Sequence, residues 1–177
     1  MEGHIINKVE KSGLVQLDME TWLDDREVVL YDISQNLFQG LVIREKDLRT
    51  FIKENDWSVY QNKYVGIVCT TDAIIPMWVY MLLTVAIQEH AHAVVVGDKQ
   101  AIITTQLLQK ITNLEAKDYQ DAKVVIKGCS SIVLPPSIYA ELTRVLLPYV
   151  KSIMFGEPCS TVPVYKKPVV RQRKNEG

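Results

Sequence analysis

Cysteine is nearly missing from this 177-residue sequence: there are three, at positions 69, 129 and 159. So small and odd a number excludes a disulfide framework, and with it the small secreted scaffolds that depend on one. Glycine is scarce, at eight residues, and no glycine/serine-rich stretch marks a linker. Neither sign of charge dominates: 20 Lys and Arg against 21 Asp and Glu leave a formal net charge of −1. Global attraction to nucleic acid or to an anionic membrane is therefore not expected. The longest apolar run, residues 73–87, falls short of the roughly 20 residues of a membrane span, and Pro76 lies near its start. The opening MEGHIINKVEKSG lacks the cationic segment and apolar run of a signal peptide. Neither GxGxxG nor a P-loop lysine pattern occurs, so no nucleotide fingerprint is present. The expectation is a cytoplasmic protein in a reducing compartment, without a membrane or nucleic-acid partner.

What the sequence does contain is a repeated strand pattern. KYVGIVCT (63–70), AHAVVVGD (91–98), AKVVIKGC (122–129) and KSIMFGE (151–157) are short and rich in β-branched residues, as strands buried on both faces are. Helical stretches separate them. The first begins after Asp72 and runs to about Glu89, with Pro76 in its opening turn. The second covers about Lys99 to Thr112, and the third starts at Pro136 with Ile138, Leu142, Val145, Leu146 and Tyr149 as its apolar stripe. This alternation predicts an α/β fold: a three-layer sandwich with a parallel sheet core in flavodoxin-like order. GLVQLD, EVVLYDI and LFQGLVI read as strands of an N-terminal antiparallel extension, followed by a polar-faced helix over 44–56. No internal repeat is visible. Residues 1–165 are expected to form a single α/β domain, with 166–177 as a basic, solvated C-terminal tail. That tail lacks interleaved aromatics beyond Tyr165, which also argues against nucleic acid.

The three cysteines share a position in this pattern. Cys69 closes the first core strand, Cys129 the third, and Cys159 lies just past the fourth. In an open parallel sheet ligands bind outside the carboxyl ends of the strands. If the first, third and fourth strands are neighbours, about 4.8 Å apart, three thiolates can approach one another, with Asp72 as a fourth ligand. Soft thiolates suit zinc or an iron–sulfur cluster, and a reactive cysteine is a further possibility. The bland alternative is three unrelated buried cysteines, since no CxxC pair is present. For Asp72 that alternative is an N-cap of the following helix. Gly97 and Asp98 occupy the matching place after the second strand, and Ser130 and Ser131 follow Cys129. His90 and His92 fall at the opposite edge from the cysteines, where the helix dipole accounts for His90.

LFQGLVIREKDLR, DAIIPMWVYMLL, VVIKGC and KSIMFGEPCSTVPVYK together resemble the bacterial family called domain of unknown function 2480, from about Ile6 to Lys166. The resemblance implies no assigned activity. It implies an association with iron–sulfur assembly neighbourhoods and directs attention to Cys69, Asp72, Cys129, Glu157, Pro158 and Cys159. The expected function is thus a cysteine-thiolate metal or iron–sulfur site, accessory to cluster assembly. The alternatives are a non-catalytic protein-interaction domain and a cysteine-dependent small-molecule enzyme. Because IIPMWVYMLLTVAI is apolar around most of its circumference, a homo-oligomer or another protein partner is expected to cover it.

Overall fold

The computed structural model describes residues 8–9, 14–128, 132–157 and 159–168. In chain order the elements are β1 (Lys8–Val9), β2 (Leu14–Asp18), β3 (Val28–Asp32), α1 (Glu45–Glu54), β4 (Tyr64–Val68), α2 (Met77–Gln88), β5 (Ala93–Val96), α3 (Lys99–Thr112), β6 (Lys123–Lys127), α4 (Pro136–Leu146), β7 (Ser152–Glu157) and β8 (Ser160–Lys166). Four short 3-10 turns punctuate them at Met19–Trp22, Ile33–Asn36, Trp57–Tyr60 and Ala116–Tyr119. The chain gathers into two compact units. One is Asp24–Gln106; the other is made from the two ends, up to Leu23 and from Leu107 onward.

The helices form where the sequence places an apolar stripe behind a usable start. Val79, Leu83 and Ile87 on α2, and Ile138, Leu142 and Leu146 on α4, recur every four residues and are fully buried, as one helix face requires. The Asp98 carboxylate accepts from the Ala101 N–H at 3.0 Å and closes the first turn of α3. Asp72 has no such role, contrary to expectation. The N-cap of α2 is Pro76, in extended geometry, four residues further on. A proline disfavours helical backbone at the residue before it, which sets the start of α2 after Pro76 rather than at Ala73. Pro135 delays α4 in the same way.

The class is α/β with parallel strands, and one sheet has an antiparallel extension, as expected. The strand neighbours differ from expectation. Strands 64–68 and 123–127 do not share a sheet: one sheet has the order β3-β4-β5, the other β1-β2-β6-β7-β8. The segments read as an antiparallel N-terminal extension split up instead. β2 pairs parallel with β6, and β3 parallel with β4. Among the described strands β1 on β2 and β8 on β7 run antiparallel. The stretch read as a third strand contributes a single bridge, Phe38 to Val42.

The two units repeat one arrangement, which corrects the absence of a repeat in the sequence reading. Each has a strand ending in aspartate, a 3-10 turn, a helical stretch (α1 in the middle unit, the part of α3 from Leu107 in the other), a second 3-10 turn, a strand, a proline-started helix and a strand. From the second turn onward the matching residues lie 59 apart, as from Asn62 to Asp121, both with positive φ (59° and 56°). Gly97 and Gly156 match in the same way, with φ of 133° and 121°. Asn62 N–H donates to the His90 carbonyl at 3.0 Å, and Asp121 N–H to the Tyr149 carbonyl at 2.9 Å. The core of the middle unit is Tyr31, Ile33, Leu48, Trp57, Val65, Ile67, Ile75, Val79, Leu83, Ile87 and Ala91. The matching positions, in order, are Leu17, Met19, Leu107, Ala116, Val124, Ile126, Leu134, Ile138, Leu142, Leu146 and Val150, and every one is buried. Even the register agrees: Val28 faces Tyr64 as Leu14 faces Lys123, and Tyr64 faces Ala93 as Lys123 faces Ser152.

At one matched strand position a glycine stands opposite a branched residue. Gly66 stands where the other unit has the fully buried Val125. A Cβ on Gly66 would lie 2.5 Å from the Gly97 carbonyl oxygen and 2.7 Å from Leu30 Cδ2. Gly66→Val, the residue of the matching strand, is expected to destabilise the protein by about 1–3 kcal/mol through overpacking. Denaturant unfolding measures this; an unchanged midpoint would mean that β4 has room for the side chain.

Candidate functional site

Each unit presents the carboxyl ends of its parallel strands at one edge, where an aspartate closes the first strand. Asp32 ends β3. Its carboxylate accepts from the Ser34 N–H at 2.9 Å, from the Thr70 N–H at 3.1 Å and from the Thr70 hydroxyl. The turn after β3 and the segment after β4 are thereby tied together. These donors, the Thr70 hydroxyl foremost, hold the Asp32 carboxyl down to about 2. A carboxylate so satisfied is a weak base near neutral pH and suits structure better than proton transfer. Asp18 is its counterpart. It accepts from the Glu20 N–H at 3.1 Å, and Lys127 Nζ approaches its Oδ2 at 3.4 Å and Glu157 Oε1 at 3.7 Å. The hydrogen bond to Asp18, then the Glu157 charge, raise the Lys127 ammonium above its ordinary value.

The residues expected to hold a metal are placed as follows. Cys69 follows β4 and packs partly buried against the core of its unit. Its thiol lies 3.5 Å from the Thr71 carbonyl and 3.3 Å from the Thr71 hydroxyl. Asp72 is exposed on the bend before α2. Cys159 is exposed in the turn between β7 and β8. Cys129 lies outside the described residues, as do Ser130, Ser131 and Pro158. Among the described residues no three His, Cys, Asp or Glu side chains come together as a metal site. Cys69, Asp72 and Cys159 thus do not form such a group. Cys69 belongs to the sheet of β3-β4-β5, whereas Cys159 is carried by β7 and β8 of the other sheet. His92 packs edge-on against Tyr64 at 4.9 Å between ring centroids.

The feature without a structural explanation is the outer face of α2. Ile74, Met77, Met81 and Val85 are 94%, 73%, 69% and 67% exposed. Spacing of four residues puts Met77, Met81 and Val85 on one face, opposite the buried Val79, Leu83 and Ile87. No residue of α2 carries a charge. Beside this face, Glu45 and Arg49 of α1 with Trp78, Met81 and Leu82 line a groove. At the matching positions α4 carries Pro136, Ala140 and Arg144, equally outward, and Arg144 is paired with Glu141 at 2.5 Å. The frame therefore does not require apolar residues there.

The sequence pattern of the family described as Protein of unknown function (DUF2480) matches residues 3–167. The chain belongs to this family. No curated protein and no solved structure matches the chain. The DUF2480 match runs through both repeated units. Among the described residues no helix is long and apolar enough to cross a membrane.

Sequence reasoning passed over Asp18, Asp32 and Lys127, and gave Thr70 no role. A usable signal was present: LVQLDMETWL and VVLYDISQNL are both strand, aspartate, short turn and leucine, 14 residues apart from Asp18 to Asp32. The folded-state value of Asp32 lies below the about 3.9 of an unperturbed aspartate, so ionisation favours the folded chain. The stabilisation is complete above that ordinary value and is lost as the pH falls toward about 2. Asp32→Asn or Thr70→Val is expected to flatten the loss of stability over this acidic window, as read from thermal unfolding at a series of pH values. An unaltered pH profile would remove the carboxylate's role.

Proposed function

We propose that this protein is a binding module that docks another polypeptide on the outer face of α2. The observation that carries this reading is the exposed stripe Met77, Met81 and Val85, set against its polar or small counterparts on α4. Burying a side chain of this size is worth about 1.5–3 kcal/mol relative to leaving it in water, so a stripe of three or four supplies a useful driving force for association. Methionine suits such a face because its unbranched, polarizable side chain adapts to a partner's contour. The thiolate reading has less support: Cys69 and Cys159 follow strands of different sheets, and among the described residues no three potential ligands come together.

The matched helix supplies a benign substitution. Met81→Ala with Val85→Arg installs the residues of α4 at the same outward positions. Each change is expected to alter stability by no more than about 0.5 kcal/mol, the usual range for surface sites, while removing binding. A photo-crosslinking residue at Val85 is expected to give adducts with a protein chain in the protein's own cells, and one at Arg144 none. Absence of adducts from both Met81 and Val85 would end the binding reading.

A further inference from the structure

We infer that the occupant of the α2 face is a second copy of this chain, bound face to face about a two-fold axis. This rests on the binding reading above and names its partner. In such an interface the same patch serves both subunits, so it must be compatible with itself. α2 has no charged residue and meets its own copy without repulsion, as a face charged with one sign would not. The groove beside it carries one charge of each sign: Arg49 Nε bonds Glu45 Oε1 at 2.9 Å, and both side chains are exposed. A two-fold axis can set Arg49 of each copy against Glu45 of the other, so the rim is complementary to itself as well. α4 offers no comparable face, since the exposed Arg144 sits where Val85 sits on α2.

Size decides how much of the rim takes part. A helix of the length of α2 presents a face roughly 18 Å long and about 10 Å wide. That is well below the about 800 Å² that each partner gives to a stable interface. A contact of the two α2 helices alone would be weak, so α1 must enter it with Glu45 and Arg49.

The test is sedimentation of the full chain from low to high micromolar concentration. A dimer is expected, and Val85→Arg is expected to weaken it by roughly tenfold or more, because the arginine would be buried without a partner. Circular dichroism and thermal unfolding confirm that the variant stays folded. Arg49→Glu and Glu45→Arg singly are expected to weaken the dimer, and the two together to restore it. A dimer indifferent to Val85→Arg would overturn the inference. So would a chain that is monomeric throughout. A monomer whose crosslinker at Met81 captures a different protein would overturn the second copy while leaving the binding reading intact. A monomer giving no adduct would end both.

Discussion

Three parallel strands are not stable until both their faces are covered, and this requirement governs the architecture. β4 has Tyr64, Val65, Gly66 and Ile67 all buried in sequence, with no alternation to leave one face wet. β6 behaves alike through Val124, Val125 and Ile126. Strands of this kind occur where helices cover both sides. They also need parallel neighbours delivered by crossovers rather than by hairpins. β3 reaches β4 through α1 and lies within its own unit. β2 reaches β6 only after the whole middle unit has intervened, from Leu14–Asp18 to Lys123–Lys127. The closure of such a long loop adds little in entropy for each doubling of length, so the nested arrangement carries only a modest penalty at equilibrium. It bears more heavily on rate, because distant pairings form slowly.

The same requirement explains which features the two units share. A core position in a close-packed interior is felt to within a methylene, and the paired cores hold residues of related size: Ile75 with Leu134, Val79 with Ile138, Ile87 with Leu146. The capping aspartates, the positive-φ residues Asn62 and Asp121 and the helix-starting prolines recur for backbone reasons. Tyr31 and Trp57 fill in the middle unit what Leu17 and Ala116 fill in the other. Their rings are 5.7 Å apart, and Phe51 and Tyr60 extend the aromatic group. Burial there raises the Tyr31 phenol well above its ordinary range, in keeping with a hydroxyl that serves its bond to Asn36 and not acid–base chemistry.

Much of the local structure was legible in the sequence. Residues 99–112 form the helix that their periodicity predicts, α4 begins at Pro136, and four β-branched runs contain β4, β5, β6 and β7. Local pattern determines these elements, so local pattern reveals them. Pairing is not local. Nothing in VVLYD or LVQLD says which later strand each will join, and alternation suited an antiparallel reading. The repeat was hidden for two reasons. The first strand of one unit is followed at once by the first strand of the other, so no unbroken period runs along the chain. Identity is also thin, with Gln61 and Gln120, Pro76 and Pro135, Leu83 and Leu142 among the few unchanged pairs. The cysteine reading depended on one shared sheet, and two sheets remove its geometric premise for Cys69. A carboxyl-edge position remains real for Cys69 and Cys159, but a common edge does not follow from it.

A repeated frame makes the differences informative. Where both units bury a position, packing fixes the choice, and variation such as Gly66 against Val125 is explained by neighbours. Where both units expose a position, packing is silent, and water should favour polar residues in each. Arg144 obeys that preference and Val85 does not. Ile74 and Val133 form a revealing pair, because both are apolar and both almost fully exposed. Their exposure follows from the frame itself. The residue beside the helix-starting proline, Ile75 or Leu134, turns into the core, so its predecessor is directed outward. Exposure at that position therefore says little about binding. The α2 stripe differs because its counterparts on α4, Pro136, Ala140 and Arg144, are also exposed but are small or charged, with no large apolar side chain among them. Met77, Met81 and Val85 thus form a face that the architecture does not require.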